Sequence, residues 1–124
     1  MAKTLLMIHG VGCGGEVWDT MRPAFETAGW TCDAPTLFPQ FRTNESPPEG
    51  LADLTLDDYV EAMGEKAREL TEAHGEKPVV IGHSMGGLIA QKLTEADLVK
   101  AGIFLTPAQP EDCTVTDLRV LRTF

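Results

Sequence analysis

The chain has 124 residues, a length that suits one domain. With 43% hydrophobic and 23% charged residues it can build a core, and a wholly disordered chain is excluded. A net charge of −9 argues against nucleic acid and anionic lipid, which need clustered Lys and Arg, and reads as a solubilising surface.

Residues 4–8 (TLLMI) are a short, fully apolar run ending at His9-Gly10, which predicts a buried parallel strand. Four glycines follow closely, at positions 10, 12, 14 and 15. They match neither G-x-G-x-x-G nor G-K-[ST], so they suit a turn better than a phosphate cradle. Val17, Trp18, Met21, Phe25 and Ala28 recur at helical spacing, with Pro23 in the first turns and Gly29 as the stop. Residues 30–34 predict a second strand. Residues 35–52 carry Pro35, Pro39, Pro47, Pro48 and Gly50 and predict a long loop.

Thr55 and Asp58 stand at capping-box spacing and open a second helix. Leu56, Tyr59, Val60, Met63, Ala67 and Leu70 share one face of it, and Gly75 should end it. Residues 78–81 (PVVI) predict a third buried strand, and residues 88–98 a helix that is largely apolar. Residues 101–105 predict a fourth strand, stopped by Thr106-Pro107; a short helix is expected around 115–121. Strands alternating with helices imply a parallel sheet.

The three cysteines, Cys13, Cys32 and Cys113, are odd in number and fit no zinc spacing. The apolar run near the start is too short for a signal peptide, and no stretch is long enough to span a membrane. A reduced, cytoplasmic setting is the expectation, with no membrane, nucleic acid, metal or cofactor.

The chemistry lies in Gly82-His83-Ser84-Met85-Gly86, a G-x-S-x-G sequence between an apolar strand and a helix. A serine on so tight a strand-to-helix turn needs glycine at 82 and 86, because a side chain there would meet the returning chain. Gly87 should let the helix approach the sheet closely. The helix N-terminus favours an oxyanion forming beside Ser84. Upstream, His9-Gly10-Val11-Gly12 follows the first strand directly. A loop there can aim the Val11 backbone N–H at a substrate carbonyl oxygen, and the Met85 N–H supplies a second donor.

Together, HGVG at 9–12, GHSMGG at 82–87 and the strand and helix order between them resemble the α/β-hydrolase superfamily, in particular its small lipase- and esterase-like members. The resemblance implies a three-layer α/β/α sandwich with a mainly parallel sheet, here incomplete, with about four strands in the order 2-1-3-4. It implies one domain over residues 1–124, cut at the start of the lid region. It also implies Ser84 as nucleophile, Val11 and Met85 as oxyanion-hole donors, and a small-molecule ester or acyl substrate. Non-catalytic small-molecule binding, or lyase or perhydrolase chemistry, is compatible with the same fold.

Each residue also has a plainer reading. Ser84 could be an ordinary turn serine, and the Val11 and Met85 side chains could serve packing alone. His83 should point away from Ser84, and His9 should brace the oxyanion loop. His74, at the far end of a helix, should lie roughly 15 Å or more from Ser84, given ~3.3 Å per strand residue. Cys13 reads as a small buried hydrophobe rather than a rival nucleophile. Glu111 and Asp112 read as solvated loop charges before they read as a triad acid.

In the superfamily the triad runs serine, acid, histidine along the chain. No histidine follows Ser84 here. The expectation is therefore the N-terminal half of a longer hydrolase, with acid and histidine beyond residue 124 and little activity in the isolated chain. The fourth strand should form an uncovered edge, which makes self-association an expectation too.

Overall fold

A strand that is apolar on both faces must be covered on both, and TLLMI sets the centre of the fold for that reason. A computed structural model describes residues 3–38 and 54–108. Its strands are β1 (Thr4–Ile8), β2 (Thr31–Asp33), β3 (Val79–His83) and β4 (Ala101–Leu105). They form one parallel sheet in the order β2-β1-β3-β4. Residues 5–8 of β1 are each at most 2% exposed. Alternate side chains enter different cores. Leu6 and Ile8 join Val80, Met63, Ala67, Ile89 and Leu93 on one side. Leu5 and Met7 join Trp18, Cys32 and Ile81 on the other.

The first core is built by two helices, α2 (Leu56–His74) and α3 (Met85–Glu95). The expected capping box opens α2: Asp58 N–H donates to Thr55 Oγ1 at 3.3 Å, and Thr55 N–H donates to Asp58 Oδ2 at 2.8 Å. Gly75 ends α2 at φ 73, where a Cβ would be strained. Met63, Ala67 and Leu70 are buried on the predicted face, with Leu56, Tyr59 and Val60 packed at its margin.

Several boundaries differ from the sequence reading. The helical pattern from Val17 to Ala28 splits into a 3-10 helix (Gly15–Trp18) and α1 (Arg22–Thr27). Pro23 lies in the first turn of α1. Placed deeper in one continuous helix, it would lack a donor and strike the preceding turn, so the helix starts afresh beside it. Strand β3 runs on through Gly82 and His83, which pair with Phe104 and Leu105 of β4. Helix α3 begins at Met85, three residues earlier than the apolar pattern suggested, because Ser84 caps it.

Apolar burial dominates the energetics. Each fully buried Leu or Ile contributes about 1.5–3 kcal/mol. Ion pairs such as Lys66–Asp33 (3.7 Å), Lys77–Asp97 (3.0 Å) and Lys100–Glu76 (3.0 Å) are partly or largely exposed, where a pair is worth about 0–1 kcal/mol. Among the described strands β4 is an edge, and its Ile103 and Phe104 are 41% and 39% exposed. Among the described residues no helix is long and apolar enough to cross a membrane.

Candidate active site

Ser84 stands at the junction of β3 and α3, with φ 56 and ψ −120. A non-glycine residue rarely adopts such a backbone, which costs on the order of 1–3 kcal/mol. The surroundings hold it there. Ser84 N–H donates to the Leu105 carbonyl at 3.2 Å. Its own carbonyl accepts the N–H groups of Gly87 (2.9 Å), Leu88 (3.3 Å) and Ala108 (2.9 Å). The turn is therefore pinned by α3 on one side and by the end of β4 on the other. The Ser84 hydroxyl is half-buried and has no hydrogen-bond partner among the described residues.

The flanking glycines are required by contact. A Cβ on Gly82 would run into the Gly86 carbonyl, and one on Gly86 into the Ile8 carbonyl of β1. A Cβ on Gly87 would lie 2.9 Å from Pro107. Gly87 thus makes room for the loop after β4 and also for the sheet, as the sequence suggested, since the same Cβ would lie 3.3 Å from the Gly82 carbonyl of β3.

The HGVG loop lies against the serine. A Cβ on Gly10 would sit 3.1 Å from Ser84 Cβ, 3.2 Å from the His83 carbonyl and 3.6 Å from Ser84 Oγ, so a side chain there would crowd the serine. Val11 follows, its side chain 75% exposed. Neither the Val11 N–H nor the Met85 N–H is hydrogen-bonded to any described residue, and Met85 is the first residue of α3. The geometry thus brings the side chain of Ser84 beside Gly10, with two unpaired backbone donors on the adjoining residues.

The histidines separate. His9 is 3% exposed and hydrogen-bonded at both nitrogens: Nδ1 to the Gly10 carbonyl and Nε2 to the Leu37 N–H, each at 2.8 Å. It braces the loop, as expected. His83 is exposed at the end of β3, and His74 is exposed at the end of α2. Cys13 departs from expectation. It is partly exposed, with Sγ donating to the Val11 carbonyl at 3.6 Å, because the glycine-rich loop runs along the surface. Cys32 is the buried cysteine, and burial pushes its thiol up from the ordinary value. Glu111, Asp112 and the short helix around 115–121 lie outside the described residues.

Sequence reasoning missed three participants: the Leu37 N–H, Pro107 and the Ala108 N–H. Two act through the backbone and Pro107 through bulk alone, so residue type carries no signal for them. A cleft of about 330 Å³ lies elsewhere, lined by Phe38, Leu54, Asp58, Glu61, Ala62 and Glu65, and contains none of the candidate site residues. Among the described residues no three His, Cys, Asp or Glu side chains are grouped to hold a metal ion.

Comparison with curated proteins gives no match. Comparison with solved structures gives many. The crystal structure of polyneuridine aldehyde esterase aligns at 26% identity and TM-score 0.63, over 89% of this chain and 42% of that one. A monoacylglycerol lipase from Paleococcus ferrophilus aligns at 21% identity and TM-score 0.67, over 97% of this chain and 45% of that one. An epoxide hydrolase from Vigna radiata aligns at 20% identity and TM-score 0.71, over 99% of this chain and 39% of that one. The chain thus spans less than half the length of these structures. Sheet order and the tight turn at Ser84 agree with the match of residues 5–124 to the model of the Alpha/beta hydrolase family, and the chain belongs to that family.

Proposed function

We propose that the protein is a serine hydrolase acting on carboxylic esters or related acyl compounds, with Ser84 as its nucleophile. The observation that carries this reading is the Ser84 backbone, held at φ 56 and ψ −120 by four hydrogen bonds, with its hydroxyl unpaired among the described residues. Strain of that kind persists where the surroundings over-determine it, and it clusters at reactive sites. The esterase and lipase among the structural neighbours agree with the reading. The epoxide hydrolase is a reminder that the fold alone does not choose the reaction.

In this proposal Ser84 Oγ attacks the substrate carbonyl carbon and the carbonyl oxygen becomes an oxyanion. The Val11 and Met85 N–H groups receive it, and each such donor is worth about 100–1,000-fold in turnover. The intermediate expels the alcohol, and water then releases the acid from the acyl-serine. The first step needs a general base. His9 has both nitrogens engaged, and His74 sits at the opposite end of β3 from Ser84. His83 is directed out to solvent. A histidine base is therefore supplied from outside these 124 residues, and the chain alone is a poor esterase. No metal or organic cofactor enters the scheme.

Labelling with a fluorophosphonate tests the nucleophile. The chain has two serines, so Ser46 is an internal reference. Label on Ser84, lost in Ser84→Ala, is the expected result. A Ser84 no more reactive than Ser46 would sink the proposal and favour a non-catalytic binding module. Ester hydrolysis at ordinary enzyme turnover by the chain alone, abolished in Ser84→Ala, would overturn the claim that the base lies outside it.

A further inference from the structure

We propose that His9 is a positioning residue: it aims the Val11 N–H, and it ties that aim to the backbone after β2. The inference rests on the serine-hydrolase reading and deepens it. A backbone N–H can only donate, so the Leu37 N–H at 2.8 Å requires a lone pair on His9 Nε2. The proton of the neutral ring is then on Nδ1, which donates to the Gly10 carbonyl at 2.8 Å. The same oxygen also accepts the Cys13 N–H at 3.4 Å.

The Gly10 carbonyl and the Val11 N–H are two ends of one planar trans peptide. Holding the oxygen in place fixes the N–H in the opposite direction. Glycine has no side chain with which to do this for itself, and a Cβ there would crowd Ser84 at 3.1 Å. The imidazole supplies the missing constraint from the previous residue. With His9 3% exposed, water does not compete for either nitrogen. The far end of the clamp is firm as well, because Leu37 is 6% exposed and packs in the core formed with α2 and α3. One tautomer of one ring thus couples the loop after β2 to an oxyanion donor.

Carboxamide variants separate the two ends of the clamp. Asn carries an N–H where Nδ1 lies and does not reach Leu37. Gln carries an acceptor where Nε2 lies and gives up the bond to Gly10. If the clamp on Gly10 aims the donor, His9→Gln should slow phosphonylation of Ser84 by about 10-fold or more, part of the ~100–1,000-fold that losing a donor costs. His9→Asn, which keeps the bond to Gly10 and loses only the anchor at Leu37, should be slowed less than His9→Gln, whatever either variant does to the melting temperature. In that reaction Ser84 Oγ bonds to phosphorus, fluoride leaves, and the hydroxyl proton passes to water. A purely structural histidine would give rates that follow stability, or the same rate in both variants, and either result overturns the proposal. Nitrogen-15 spectra of the imidazole must show a protonated Nδ1 and a bare Nε2 at neutral pH; the opposite tautomer also overturns it. If wild-type Ser84 takes no label, the serine-hydrolase reading fails separately. The clamp is then decided by the Val11 amide resonance, which should move more in His9→Gln than in His9→Asn; equal movement in both variants, or none, refutes it.

Discussion

Replacing Ser84 by glycine should make the protein more stable than replacing it by alanine, although both remove the nucleophile. At φ 56 and ψ −120 an L-residue carries a backbone cost of about 1–3 kcal/mol. Alanine inherits that cost and glycine does not. Glycine loses about 0.5–1 kcal/mol more chain entropy on folding. The difference leaves glycine ahead by about 1 kcal/mol, and by no more than about 2.5 kcal/mol. The hydrogen bonds that pin the turn run through the backbone of residue 84, so both variants keep them. Urea unfolding followed by tryptophan fluorescence reads the comparison, since Trp18 is buried and Trp30 half-buried. Equal slopes with a higher midpoint for Ser84→Gly are expected, or a melting temperature raised by about 4 °C for a domain of this size. A Ser84→Gly protein less stable than Ser84→Ala by about 1 kcal/mol would show glycine's entropy cost without any strain relief. The argument that the fold holds Ser84 under strain would then be wrong.

Gly82→Ala should destabilise the fold by about 1–3 kcal/mol or prevent soluble expression, because the new methyl meets the Gly86 carbonyl rather than a movable side chain; denaturation midpoints check this. Peptide mapping after alkylation should find Cys13 modified in the folded protein and Cys32 modified only on unfolding. Burial, and then Glu26, push the Cys32 thiol up, so its contribution to stability is complete below the ordinary thiol value and is lost as pH rises toward the raised one. Cys32→Ala should remove that alkaline decline from the urea midpoints.

Local chemistry makes much of the fold legible in the order of residues. TLLMI is apolar at every position and so becomes the central strand. Thr55 and Asp58 open α2, and Gly75 closes it. The same holds at the site. G-x-S-x-G between a strand and a helix and HGVG after the first strand name residues that the structure brings together, with Gly82 and Gly86 where a Cβ would strike backbone and Gly10 close against Ser84.

What sequence left open was decided by partners distant along the chain. Pairing of His83 with Leu105 extends β3 to the Ser84 turn, and α3 starts directly after it. The loop after β4 packs Pro107 on Gly87 and donates the Ala108 N–H to Ser84. The tautomer of His9 depends on the Leu37 N–H, 28 positions away. Residue types are written in sequence, so turns, caps and apolar faces can be read from it. Every residue except proline carries the same backbone donor and acceptor, so which of them meet across the fold, and with what geometry, exists only in the tertiary structure.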